Sequence, residues 1–245
     1  GGPLVESLRH PSSQRVPLTR ECFRACDEVI VLNCLDSMYG HALLKLLNAS
    51  RHLEDQPEFG LIVLIPKCLR WLVPDGAAEV WLVDLPLHEF TAFYPDLHEQ
   101  IAAHCARFRR VFLSETYSHP SRFRLSDYTR ISPHQFTEEP PVVVFVWRED
   151  RPWLSESEWR FLRWVKSPRL ILDLQRRRVT RFFGHLRVKQ PSVRCRVIGL
   201  GTSGRFPAWI EDRRVARFTE AEERETARLC AESRVGVGVH GSNML

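Results

Sequence analysis

Lysine is nearly missing from this chain of 245 residues: only Lys45, Lys67, Lys166 and Lys189 occur, so its positive charge is carried almost entirely by arginine. Basic residues outnumber acids by 35 to 30. An excess this small does not demand a polyanionic partner, although arginine suits planar, bidentate contact with phosphate. No apolar run approaches the length of a membrane span and no secretory leader opens the chain, which points to a cytoplasmic protein with at most a peripheral membrane contact. The cysteines, seven in all, are scattered and odd in number, so they read as reduced residues of apolar segments rather than a disulfide framework. Cys22 and Cys26 have no nearby partners for a zinc site, and no Asp-x-Asp motif is present, so no metal is expected. No repeat of solenoid period occurs.

What is present alternates. Short runs rich in Val, Ile and Leu occur at 28–33, 60–65, 78–84, 110–115, 142–147, 194–200 and 234–239, each apolar throughout, as strands covered on both faces are. Helical periodicity fills the intervals at 38–53, 87–108, 155–167 and 219–233, where Thr219 and Glu222 have the spacing of a capping box. The stretch 175–189, QRRRVTRFFGHLRVK, could grip a nucleic acid backbone, but Leu170, Leu172, Leu174, Val179, Phe182, Phe183 and Leu186 recur at helical spacing. It therefore reads as an amphipathic helix with a basic outer face, and no nucleic acid partner is expected. Alternation of this kind implies βαβ units and parallel sheets, an α/β fold. The aperiodic, proline-rich stretch 118–141 marks a boundary near Glu138, giving domains at 1–137 and 138–245. The second ends on a strand-like run where a further helix would open, so it is expected to be incomplete.

Ligands of open parallel sheets bind beyond the carboxyl ends of the strands. The first such exit, NCLDSMYGH, gathers Asn33, Asp36, Ser37, Tyr39 and His41; Asp36 is either a general base or a helix cap. The fourth exit offers Glu115, Tyr117, His119 and Arg122. Arg148 and Arg151 follow the first strand of the second domain, where two guanidinium groups could meet an anion, unless Glu149 and Asp150 neutralise them. After the next strand, Gly199, Gly201 and Gly204 have the spacing of a dinucleotide cradle, yet the following residues are too few for a crossover helix and include Pro207. Glu220, at the remove expected for a ribose-binding acid, belongs to the helix that Thr219 opens. Gly201, Thr202, Ser203 and Gly204 are instead expected to bring backbone amides close to a ligand. His240, Gly241, Ser242 and Asn243 leave the final strand as a small polar cluster, an anion site if a helix starts there.

In this order the second half resembles the donor-binding domain of GT-B glycosyltransferases, with VVVFVWREDR, RCRVIGLGTSG, RRVARFTEAEERETARLCAES and RVGVGVHGSN in succession. The Arg-x-x-Arg of Arg148 and Arg151 and the Val-His-Gly of 239–241 look most like the group with an HGAGL-type loop, from which Ser242-Asn243-Met244 departs. The resemblance covers about residues 140–245, and the first half matches only as a generic Rossmann-like acceptor domain. It implies two Rossmann-like parallel-sheet domains facing a cleft, and a metal-independent transfer of a sugar from a nucleotide-sugar donor to a hydroxyl of a saccharide or similar acceptor. It requires no cofactor beyond the donor. Arg148, Arg151, residues 201–204 and residues 240–243 would hold the donor; Asp36, then His119, would be the base. The competing expectations are an NAD-linked oxidoreductase built on the glycine loop and a noncatalytic module that binds nucleotides or sugars.

Overall fold

In the computed structural model the chain divides into two compact units, Gly1–Arg130 and Ile131–Leu245. The structure describes residues 2–117, 120–132, 134, 140–158, 160, 167–217 and 219–239. The expected boundary near Glu138 lies outside them.

The first unit carries a five-stranded sheet of β1 (Leu18–Cys22), β2 (Glu28–Asn33), β3 (Gly60–Pro66), β4 (Glu79–Val83) and β5 (Arg110–Leu113), in the order β1-β4-β3-β2-β5. Strands β2 to β5 are parallel to their neighbours, and β1 lies antiparallel on β4, with Leu18 opposite Val83 and Cys22 opposite Glu79. Every residue of β3 is buried. The core on one face joins Val29, Val31, Ile62, Leu64 and Trp81 to Leu97 of α4 (Pro95–Cys105). A short helix, α1 (Gly2–Arg9), precedes the sheet, and α5 (Leu125–Thr129) follows it.

Both expected helices of this unit are broken. The first gives α2 (Tyr39–Leu46) and α3 (Ala49–Asp55), parted at Asn48, whose buried amide donates to the carbonyls of Leu44 and Lys45, 3.1 Å each. A side chain that competes for its own helix's carbonyls ends that helix. The second gives a 3-10 turn at Leu87–Thr91 and then α4, because Pro95 fits the first helical turn and not an interior.

One buried charge ties β4 to the chain after α4. The Glu79 carboxylate accepts from Arg107 at 2.9 and 3.3 Å and from Trp81 Nε1 at 2.8 Å, with Arg20 at 3.9 Å. Burial works against its ionisation, but the hydrogen bonds of Arg107 and Trp81 and the two arginine charges prevail and hold it below the ordinary glutamate value of 4.5. A carboxyl with a lowered folded pKa stabilises the fold above its unfolded pKa and loses that contribution as pH falls through the folded value. Arg107→Ala is expected to remove roughly 3 kcal/mol at pH 7. Wild type and variant should converge as urea midpoints are followed from pH 7 to below 4.

The second unit carries β6 (Val142–Arg148), β7 (Arg194–Leu200), β8 (Ile210–Val215) and β9 (Val235–Gly238), all parallel, in the order β8-β7-β6-β9. Counting parallel strands alone, both units read third-second-first-fourth, the half-sheet of a Rossmann-like α/β fold. The chain reverses direction of travel across the sheet between β2 and β5 in one unit and between β6 and β9 in the other. Helix α6 (Pro168–Lys189) covers one face, seating Val179 and Phe183 on Phe145, Trp147 and Val197, with the arginines outward, as its apolar period requires. Helix α7 (Glu220–Ala231) opens with the expected capping box: the Thr219 hydroxyl accepts from the Glu222 N–H, and the Glu222 carboxylate accepts from the Thr219 N–H. Leu229 of α7 joins Val144, Val146 and Ile198 in the core of the other face.

Between β7 and β8 the crossover is irregular chain, 201–209, where an α/β unit ordinarily places a helix. Phe206 does part of that helix's work, packing edge-on against Trp147 with ring centroids 5.6 Å apart. Neither β1 nor β8 has the alternation of a half-buried strand; both are edge strands with charged residues, which blunt an exposed edge. The seven cysteines form no disulfide among the described residues; Cys34 and Cys195 are buried, Cys26 and Cys105 are half-buried against the first unit's core, and Cys22, Cys68 and Cys230 are exposed. No helix among the described residues is long and apolar enough to cross a membrane.

Candidate functional site

The carboxyl end of β6 lies between those of β7 and β9, so Arg148 stands at the reversal of the second sheet. Its guanidinium is already engaged: it forks onto Asp150, with Nε donating to Oδ1 at 2.9 Å. The fork holds the Asp150 carboxyl below the usual carboxylate range. Buried Gln175 of α6 fixes this exit from below, donating to the Arg148 carbonyl at 3.2 Å and accepting from the Trp153 N–H at 3.1 Å. Arg151 is exposed.

The glycine loop has an equally occupied amide. Ser203 N–H donates to Glu149 Oε1 at 3.1 Å, and the Trp147 indole reaches the same oxygen at 3.3 Å. This contact explains Gly201: a Cβ there would fall 2.2 Å from the Glu149 carboxyl carbon, at a backbone φ of +111°. The loop thus lets a backbone approach an anion closely, as its composition suggests, and the anion is the protein's own carboxylate. Thr202, Ser203 and Gly204 are exposed. Arg214 of β8 clamps the loop from inside. With its side chain only 2% exposed, it lies 4.9 Å from the Trp147 ring centre and 4.7 Å from that of Phe206. It donates to the carbonyls of Ser203 and Gly204 at 3.0 and 2.9 Å, and to Asp212.

At the exit of β2, Asp36 is a paired carboxylate. Oδ1 accepts from the Met38 N–H at 3.0 Å and lies 3.5 Å from His41 Nδ1; Oδ2 accepts from Lys45 Nζ at 2.9 Å. Burial raises its pKa, but the hydrogen bonds of Lys45 and Met38 and the charges of Lys45 and His41 lower it more, leaving it below the ordinary aspartate value. A carboxylate so stabilised accepts a proton poorly and orients an imidazole well. Asn33 turns its side chain to the Leu35 N–H, 3.0 Å, a local turn contact.

The neighbouring exit, after β5, contains contacts that the sequence did not single out. His52 of α3 lies with Nε2 2.6 Å from Ser114 Oγ and Nδ1 2.7 Å from Gln56 Oε1. Burial, the main cause, holds its pKa below the ordinary histidine value. Asn48 Oδ1 accepts from the Tyr117 N–H at 2.9 Å, and Arg51 donates to the Glu115 carbonyl at 2.7 Å while lying over the Tyr117 ring. Residues 114–117 are thus held by the α2–α3 junction. The only sequence sign was an asparagine inside a helical run.

Of the sequence-derived candidates, Arg148, Arg151 and residues 201–204 follow the carboxyl ends of β6 and β7 in the second sheet, and Asp36 follows β2 in the first. His119, His240, Gly241, Ser242 and Asn243 lie outside the described residues. Among those described, no cluster of three His, Cys, Asp or Glu side chains is placed to hold a metal ion. Compared with family models, with curated proteins and with solved structures, the chain matches none.

Proposed function

We propose that this chain is a nucleotide-sugar-dependent glycosyltransferase of GT-B type, the second unit binding the donor and the first the acceptor. The observation that carries the reading is the reversal of strand order at β6 and β9, with Arg148 at the exit of β6 and the sequence His240-Gly241 following β9. Parallel sheets bind ligands at that point. As the glycosidic bond breaks, negative charge grows on the leaving nucleoside diphosphate, and Arg148, Arg151 and the amides of the glycine loop are the groups to stabilise it. Glu149 and Asp150 occupy two of these donors in the free protein, so diphosphate binding exchanges one anion for another.

The acceptor hydroxyl, in this reading, passes its proton to His41, with Asp36 as the positioning residue that orients the ring; His119 is the alternative base. Asp36→Asn should lower turnover by about 100-fold or more, with the loss in kcat and not in KM, because the ring loses the group that orients it. Unchanged rates in Asp36→Asn, His41→Ala and His119→Ala would remove the assignment.

The donor reading is tested by thermal shift over UDP-, GDP-, CMP- and ADP-sugars, since a ligand of the native state raises its melting temperature. Asp150→Asn should tighten binding of the responding nucleotide several-fold by removing its competitor, and Arg148→Gln should weaken it about tenfold or more. No response to any nucleotide-sugar refutes the reading.

A further inference from the structure

On the outer side of α6 the charges do not balance. Arg176 pairs with Asp173 at 2.6 Å, Arg178 pairs with Glu158 at 2.6 Å, and Arg187 lies over the ring of Trp209. Arg177, Arg181 and Arg205, by contrast, are exposed and make no ion pair with any described residue. These three line one cavity of about 530 Å³ together with Arg176 and Thr180, and Phe206 closes a side. Among the described residues, no carboxylate lines it. Arg177 and Arg181 stand one helical turn apart, where like charges repel and cost helix stability. The Arg176 guanidinium adds a second mismatch: it donates to the Arg205 carbonyl at 2.8 Å, while its Nε is buried against Gly204 with no acceptor. A cavity lined by three guanidinium groups that make no ion pair with a described residue, its fourth already paired with Asp173, is stabilised by an anion.

We infer that the groove between α6 and the 205–207 segment is a binding site for a phosphate group, separate from the donor seat. Guanidinium forks favour phosphate over monovalent halides, and the Thr180 hydroxyl can supply a further donor. The pair on the helix spans about 6 Å of axial rise, enough for one or two phosphate groups. A nucleic acid strand would require a longer track of contacts. The phosphate can come from a soluble organophosphate or from a lipid headgroup, and the chemistry of the groove is the same for both.

Calorimetric titration of the full chain with inorganic pyrophosphate, in parallel with flotation on phosphatidylcholine vesicles with and without phosphatidic acid, separates the two sources. The double variant R177Q/R181Q should bind the responding probe at least tenfold more weakly. Two control variants, R160Q/R224Q, which alters charge equally elsewhere in the same unit, and R148Q/R151Q, which alters the donor seat, should stay within about twofold of wild type at the groove. Pyrophosphate binding lost only in the groove variant assigns a soluble phosphate ligand; binding only to phosphatidic acid vesicles, lost in the same variant, assigns a headgroup. Absence of both, or equal loss in R160Q/R224Q, overturns the site. Loss in R148Q/R151Q alone places pyrophosphate at the donor seat and likewise overturns it. Both substituted groove side chains are exposed, so the variant's melting temperature should match wild type and confirm that it folds.

Discussion

Arg214→Ala is expected to destabilise the second unit by roughly 3 to 4 kcal/mol. The substitution removes one guanidinium that lies against two aromatic rings, Trp147 and Phe206, and such contacts run from about 0.5 kcal/mol at exposed sites to about 2 kcal/mol when shielded from water. It also strips the carbonyls of Ser203 and Gly204 of their donor, and Asp212 of its partner. Arg214→Lys should recover less than half of the loss, because an ammonium keeps the charge but cannot fork onto two carbonyls and a carboxylate while stacking on rings. Urea unfolding followed by tryptophan fluorescence reads the change directly, since Trp147 is one of the rings. A loss below about 1 kcal/mol in the alanine variant would mean that the loop holds its shape without the clamp.

The second large effect is expected at Gly199. A Cβ at this position would lie 2.3 Å from the Trp147 carbonyl oxygen and 3.1 Å from its nitrogen, at a φ of +111°. The obstruction is backbone near the carboxyl end of the β6–β7 pair, where Gly199 is registered against Trp147, so no side chain can yield to relieve it. Gly199→Ala should cost roughly 4 kcal/mol, the sum of a left-handed penalty and displacement of a central strand. Gly184→Ala supplies the internal comparison. Gly184 sits inside α6 and a Cβ there meets nothing within 4 Å, so the same substitution should stabilise by about 0.5 to 1 kcal/mol. Denaturant midpoints moving in opposite directions would confirm that packing around each glycine decides the sign. Equal midpoints would show that the strand can shift.

What was legible in the sequence was whatever depends on near neighbours. Strands β2, β3, β4, β6 and β7 are buried on both faces, so nearly every residue is apolar and the run declares itself. The capping box of α7 involves residues three apart, and its spacing was enough. Edge strands β1 and β8 were missed because LTREC and IEDRRV carry the charges that keep an exposed edge from pairing, and short charged runs do not announce a sheet. The contacts that shape the candidate site were also invisible, for a different reason. Glu149 meets Ser203 across 54 positions and His52 meets Ser114 across 62, so no local pattern could join them. Sequence alone therefore raised Glu149 and Asp150 as neutralisers of the two arginines, which Asp150 is for Arg148, and could not show that Glu149 instead meets the Ser203 amide of the glycine loop.

The helix-free crossover has a consequence for the order in which the molecule is made. Loop 201–209 lacks the internal ladder that lets a helix form by itself, and the side chain that fixes it, Arg214, lies eleven positions beyond Ser203. A nascent chain that has emerged only through residue 209 possesses every atom of the loop and none of its clamp. The loop and β8 must therefore become ordered together once Arg214 has emerged, and the phosphate groove, whose wall includes Arg205, is completed with them.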